Sequence, residues 1–320
     1  MSLWALCDLC TPWCIHVAAT LRVADHINAG TTGIAELAAA AGADRDSLQR
    51  VLRHLVEKGV FEEPQPGEFA LNDAAKDLIQ ARVGLDLDGF GGRMAHAWGA
   101  LLSTVRTGRP AYQEVFGRPF WEDLGVHPEI AAEFDALMGP QGHGRPDPEV
   151  LLDPADWDGI RMVVDIGGGT GSLLAEVLRM RPALHGTLVD LPRTVARAVT
   201  AFDGMADRVT FCGQSFFDPL PAGADLYLLK SVLGDWPDAE ATAILRRCAQ
   251  AARPSGRVVL LNGVTPGEKP SPALLMMVLV GGKERTLTEF GGIAREAGLR
   301  VRASGRQPSG RFIVECCPVE

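Results

Sequence analysis

The first readable chemistry lies in a glycine run that follows a short apolar segment. Asp165-Ile-Gly167-Gly168-Gly169-Thr170-Gly171-Ser172 comes directly after Met162-Val-Val. Its glycines at 167, 169 and 171 mark a strand-to-helix turn. Such a turn lets a ligand approach the backbone closely, and the helix N-terminus beyond it favours a negative group. A dinucleotide fingerprint would require glycine at 172, where this chain has Ser172. A second acid, Asp190, closes the next apolar segment, Gly186-Thr-Leu-Val-Asp, where a nucleotide fold uses a carboxylate on ribose hydroxyls. Loop and acid together imply a cofactor containing adenosine. Asp165 narrows the choice, because a carboxylate there repels a diphosphate and attracts an ammonium such as that of methionine. S-adenosylmethionine is therefore the expected cofactor, with Asp165, Gly167, Gly169 and Asp190 among its binding residues.

These residues need a scaffold of alternating strands and helices, and the chain supplies one from Arg161 onward. Strands are expected at 162–166, 186–190, 209–211, 225–230, 257–261 and 312–315, and helices at 172–180, 193–201, 238–252 and 288–297. That alternation predicts an α/β, Rossmann-like, mostly parallel sheet of seven strands. The N-terminal part reads differently. Residues 3–28 suggest one amphipathic helix running through Pro12. Thr32 is placed to cap a second helix, and Asp44 or Asp46 a third beginning near Ser47. Val60-Phe-Glu-Glu and Glu68-Phe-Ala-Leu flank Gln65-Pro-Gly as a hairpin. Helix, helix and hairpin form a winged-helix pattern. Residues 75–155 read as helical and rich in Trp, Phe, Met and Gly. Three regions are expected: a winged-helix dimerisation domain at 1–90, a helical linker and acceptor-pocket region at 91–155, and the cofactor domain at 156–320.

Bulk composition excludes several classes. Over 320 residues the formal charge is -9, with 47% hydrophobic and 22% charged residues. This is a globular composition without the basic footprint of a nucleic-acid or membrane-surface binder. The third helix carries Arg50, Arg53, His54 and Lys58, but also Leu48, Val51, Leu52, Leu55 and Val56, which need a core. A dimerisation or lid role is expected there in place of DNA reading. No apolar run reaches a membrane span, and the N-terminus lacks a basic leader, so a cytoplasmic location is expected. Seven cysteines suggest reduced thiols. Cys7, Cys10 and Cys14 fall on one helical stripe with Leu3, Leu6 and Val17, which predicts buried packing thiols and no metal.

Five ordered motifs carry a resemblance that spans nearly the whole chain. They are the glycine loop, Val189-Asp-Leu-Pro, Ser215-Phe-Phe-Asp, Leu228-Leu-Lys-Ser-Val-Leu-Gly-Asp-Trp and Gly281-Gly-Lys-Glu-Arg-Thr. With Leu3-Trp-Ala-Leu-Cys-Asp, Arg109-Pro-Ala-Tyr and Gly117-Arg-Pro-Phe-Trp, they resemble the caffeic-acid-type O-methyltransferase family, more narrowly its actinobacterial natural-product branch. The resemblance implies a homodimer joined through the N-terminal region and a small aromatic or polyketide-type acceptor. It also implies cofactor contacts from Gly167, Gly169, Asp190, Leu191, Ser215, Phe216, Lys230 and Trp236. Trp98, Phe134, Met138 and Met277 are the expected acceptor contacts.

The resemblance also locates a departure. Resembled enzymes read His-Asp-Trp after the fourth strand, and that His removes the acceptor's proton. Here the segment is Gly234-Asp235-Trp236. Glycine accepts no proton. The acid that orients the base is replaced by Asn262, whereas Glu284 is kept. The expected reaction is methyl transfer driven by proximity, with His96, His143 or Asp235 as substitute bases and Asp235 more suited to capping or bracing its loop. The alternatives are a non-methylating reaction on the same cofactor site, such as hydroxylation, decarboxylation or a pericyclic step, and a non-catalytic cofactor-binding regulator.

Overall fold

The computed structural model describes residues 3–139 and 147–319. They form two units, one of Met1–Gly99 with His127–Phe134 and one of Ala100–Val126 with Asp135–Glu320. The stretch read as one helical region, 91–155, is thus shared between them.

In the N-terminal unit the long first helix is three helices, α1 (Leu3–Leu6), α2 (Cys10–Thr20) and α3 (Val23–Asn28). Asp8 interrupts the first pair, its carboxylate accepting the backbone N–H groups of Cys10 and Thr11. Arg22, with φ of 53°, breaks the second pair. The cysteine stripe is consequently not buried: Cys7 and Cys10 are exposed and Cys14 half-buried. Then come α4 (Ile34–Ala40), α5 (Arg45–Glu57) and the antiparallel hairpin β1 (Phe61–Gln65) and β2 (Glu68–Leu71). Thr32 does not cap α4; Gly33 holds the cap position and the Thr32 hydroxyl donates to Glu68. Asp44 caps α5 by accepting from the Ser47 N–H. Leu48, Leu52 and Leu55 of α5 join Val23, Ile34, Phe61 and Phe69 in the core of this unit. The unit continues with α6 (Asp73–Leu85) and α7 (Phe90–Trp98).

The larger unit contains α8 (Leu101–Thr107), α9 (Tyr112–Phe116) and α10 (Phe120–Val126), while the residues of α11 (Pro128–Met138) are divided between the two units at Phe134. Its sheet consists of β3 (Met162–Ile166), β4 (His185–Asp190), β5 (Val209–Gly213), β6 (Leu226–Lys230), β7 (Arg257–Leu261), β10 (Leu299–Arg306) and β11 (Phe312–Pro318), with a small β8 (Val264–Thr265) and β9 (Arg285–Thr286) pair beside it. The strand order is β10-β11-β7-β6-β3-β4-β5. The first five strands in sequence are parallel, and β11 and β10 are antiparallel. Strands covered on both faces read as continuous apolar runs, and Met162-Val-Val-Asp-Ile and Leu226-Tyr-Leu-Leu fit that rule.

The connections are α12 (Ser172–Met180), α13 (Pro192–Ala198), α14 (Asp238–Ala251), α15 (Leu274–Leu279) and α16 (Leu287–Glu296). The helix expected at 193–201 ends at Ala198 and tightens into a 3₁₀ turn, Val199–Phe202. The seventh strand, β10, was not located from sequence. It is an edge strand whose exposed face carries Arg300, Arg302 and Arg306. Because the chain passes from β3 outward through β4 and β5 and then returns to β6 beside β3, the sheet's switch point lies between β3 and β6. Ligands of open α/β sheets bind at the carboxyl ends there.

Candidate functional site

Asp165, Asp190 and Lys230 close β3, β4 and β6, so three sequence-predicted side chains meet at the switch point. The glycine loop begins directly above Asp165. Gly167, Gly169 and Gly171 have φ of 65°, 60° and 79°, a left-handed backbone that favours glycine. Sterics separate their roles. A Cβ on Gly167 would come within 2.8 Å of Val232, and one on Gly171 would enter the Phe202 ring. A Cβ on Gly169 would meet nothing within 4 Å. Gly169 therefore faces open space, and its N–H donates to Asp190 Oδ2 at 2.9 Å.

The other oxygen of Asp190 accepts the Leu191 N–H at 2.7 Å. The carboxylate expected on ribose thus also ties the loop to α13, keeping its remaining lone pairs for a ligand. Asp165 differs, since both its oxygens are buried and, among the described residues, no hydrogen bond of full geometry reaches them, the Leu174 N–H being only a weak neighbour. Burial pushes this carboxyl up to about 7, opposed by Lys230 and reinforced by Asp190. Burial likewise lowers the Lys230 ammonium from its ordinary value, while Asp165 holds it up. A buried acid without a donor is costly unless a polar partner reaches it. The ammonium of an amino-acid moiety lying along the loop would be such a partner.

Aromatic side chains wall the other side. Trp236 packs edge-on against Phe216 at 5.9 Å and Phe217 at 5.0 Å, and stacks with Trp121 at 6.4 Å. Ser215 accepts the Phe217 N–H at 3.2 Å, which fixes the turn that presents Phe216. These rings suit an adenine face.

After β6 the chain makes a 3₁₀ turn, Leu233–Asp235. A Cβ at Gly234 would meet only the Gly263 Cα, at 3.8 Å, so a side chain has room there. The Asp235 side chain neither caps nor braces the turn; among the described residues nothing bonds to it, and burial pushes its carboxyl up to about 7. The turn is held instead by Arg285, which sequence reasoning missed although its motif was noted. This fully buried guanidinium donates to the Leu233 and Trp236 carbonyls and to Asp238, at 2.8, 2.7 and 2.8 Å. The signal available was an arginine between a glycine pair and a helix cap, which does not reveal its direction.

Asn262 adopts a φ of 70°, which asparagine tolerates, and donates to the Ser231 hydroxyl at 3.0 Å, joining the ends of β6 and β7. Glu284 accepts the Ser271 N–H at 2.5 Å. Asn262 and Glu284 line one cleft of about 260 Å³ together with Thr265, Arg306 and Arg311. His96 is exposed on α7 in the N-terminal unit, with its ring 5.4 Å from Trp13. His143 falls outside the described residues. Of the expected acceptor contacts, Trp98 and Phe134 belong to the N-terminal unit and Met138 and Met277 to the larger one.

A parallel sheet with a glycine loop at its switch point, an orphaned acid beneath that loop and an aromatic wall defines a cofactor domain for an amino-acid-bearing nucleoside. Comparison with known proteins agrees. Residues 98–300 match the O-methyltransferase domain and residues 4–81 the O-methyltransferase dimerisation domain, so the chain belongs to the O-methyltransferase family. It is 44% identical over 313 residues to 2,7-dihydroxy-5-methyl-1-naphthoate 7-O-methyltransferase of Streptomyces carzinostaticus, covering 95% of this chain and 94% of that one. It is 40% identical over 317 residues to aclacinomycin 10-hydroxylase RdmB of Streptomyces purpurascens, covering 93% and 84%. Among solved structures it resembles the O-methyltransferase NcsB1 from neocarzinostatin biosynthesis, in complex with S-adenosylmethionine and 2-hydroxy-5-methyl naphthoic acid. That match has a TM-score of 0.90 and 43% identity, over 100% of this chain and 99% of that one. The chain is an S-adenosylmethionine-dependent methyltransferase. No helix among the described residues is long and apolar enough to cross a membrane.

Proposed function

We propose that this enzyme methylates a hydroxyl group of a small fused-ring aromatic intermediate in natural-product biosynthesis, with Asp235 accepting the hydroxyl proton. The cofactor would be held by the glycine loop, Asp165 at its amino group, Asp190 and Leu191 at its ribose and Phe216 and Trp236 at its adenine. Bound there, it supplies an electrophilic methyl group on a cationic sulfur. Gly234 occupies the place of the family's histidine base, and the space beside it is open. The observation that carries the reading is the neighbouring Asp235, a carboxyl with no partner among the described residues and pushed toward neutrality by burial. A base works best with a pKa near the working pH, and such a group contributes roughly 10²–10⁴-fold. Arg285 fixes the turn on which that carboxyl stands. Met138 and Met277 are assigned as apolar acceptor contacts.

The proposal extends to a homodimer joined through 1–90, with 91–155 shaping the acceptor region and 156–320 binding the cofactor. Leu3, Trp4, Leu6 and Leu9, each at least 67% exposed, form an apolar surface suited to a second copy. Seven free thiols fit a reducing, cytoplasmic setting.

The test is incubation with S-adenosylmethionine and hydroxynaphthoic acids, measuring S-adenosylhomocysteine. Release is expected with the free hydroxyl and not with its methoxy analogue; equal release from both overturns O-methylation. The similarity to a hydroxylase, together with Gly234, favours one second reading, a non-methylating reaction on the same site. Acceptor turnover without any S-adenosylhomocysteine would select it.

A further inference from the structure

We propose that Cys10, Cys14 and His54 form a binding site for a thiophilic divalent cation of the zinc class, separate from the methyl-transfer site. The cysteines stand four residues apart on α2, which puts both thiols on one face of the helix. Their Sγ atoms lie 3.8 Å apart. Two thiolates on a tetrahedral zinc at about 2.3 Å are separated by about 3.8 Å, so the pair already has the spacing of one tetrahedral edge. His54 reaches the same point from α5, and the three ligand atoms lie within 4.8 Å of one another.

The scaffold is set without an ion. Leu52 and Leu55 flank His54 in the core of the N-terminal unit, and Ala18 anchors α2 in that same core. The imidazole is oriented as well. Thr11 Oγ donates to Asp8 at 2.5 Å and lies 2.8 Å from His54 Nε2, the hydroxyl–carboxylate chain that commonly orients a ligating histidine. Cys10 is exposed and Cys14 and His54 are half-buried, so an ion can enter. Two sulfurs and an imidazole select zinc or a comparably soft ion over magnesium or calcium. Three protein ligands leave the fourth position to water or to a shifted Asp8. The consequence is a clamp between α2 and α5.

The experiment uses the whole 320-residue chain, reduced and stripped of metal, titrated with Co²⁺ and then Zn²⁺. The expected result is one Co²⁺ per chain, with thiolate-to-cobalt charge transfer and the visible bands of a tetrahedral ion, both bleached by Zn²⁺. Cys10→Ser, Cys14→Ser and His54→Ala should each weaken binding by roughly ten-fold or more, while Cys7→Ser leaves it intact. Absence of the charge-transfer band, or its persistence in Cys10→Ser, overturns the site. Unchanged affinity in His54→Ala does so too. Far-UV circular dichroism and S-adenosylmethionine binding confirm that each variant is folded. In the unsubstituted chain, Zn²⁺ should protect Cys10 and Cys14 from alkylation but not Cys7, read by mass spectrometry. Equal labelling with and without Zn²⁺ contradicts the proposal without any mutation.

Discussion

Replacing Asp235 by asparagine separates its chemistry from its burial. The carboxyl is held at about 7, against 3.8 for the free group, and burial is the cause. At ~1.4 kcal/mol per tenfold change, that difference makes ionisation cost up to about 4 kcal/mol in the folded protein. Solvent reaches this half-buried group, so about 1–3 kcal/mol is the expected effect. The sign follows from linkage. A carboxyl raised on folding contributes stability below 3.8 that is lost as pH rises through about 7. Asp235→Asn removes that loss, so the variant should be more stable than the parent at pH 8 and equal to it near pH 4. Activity should move the opposite way. With the cofactor saturating, kcat of the parent rises with pH through an inflection near 7 as the base ionises. In the variant the inflection disappears and kcat at pH 8 falls by roughly 10²-fold or more. Thermal melts at the two pH values and a kcat–pH profile provide both readouts. A variant that keeps kcat within about threefold and retains the inflection would refute Asp235 as the base.

Four further outcomes follow from the site. Gly171→Ala, at φ 79° with the Phe202 ring in the way, should lose about 2 kcal/mol or more in denaturant melts. Gly169→Ala, at φ 60° in open space, should lose only about 1 kcal/mol yet weaken S-adenosylmethionine binding in calorimetry, because its Cβ would enter the open space that the proposal gives to the cofactor. Asp165→Asn should weaken cofactor binding above pH 7 more than below it, since only the ionised acid attracts the ammonium and burial delays ionisation to about 7. Arg285→Met, which leaves two carbonyls without their donor and Asp238 with Lys283 alone, should lower both stability, by about 3 kcal/mol, and kcat.

Much of the cofactor domain could be read from the chain because its signals are local. The five parallel strands are largely apolar runs, three of which end at an acid or run into glycine, and the Gly167–Gly171 spacing requires one turn geometry. The edge strand β10 carries a different signal: Leu299, Val301 and Ala303 alternate with Arg300 and Arg302, as in a strand with one solvated face, and five residues of alternation stand out less than the continuous apolar runs of the parallel strands. What depends on distant contacts was not legible. Periodicity placed Cys10 and Cys14 on a buried stripe, but Asp8 breaks the helix just before Cys10, which stands in solvent near a histidine far along the chain, His54. Neither the clamp of Arg285 on the Gly234 turn nor the missing partner of Asp165 has a sequence signature, since both are set by neighbours from other strands.

The most direct test of the central claim follows the methyl group itself. Incubation of the enzyme with S-adenosylmethionine carrying an isotopic label on its methyl, and with a hydroxynaphthoic acid, should give labelled aryl methyl ether and S-adenosylhomocysteine in equal amounts. An acceptor product without label, formed while S-adenosylmethionine remains intact, would contradict methyl transfer.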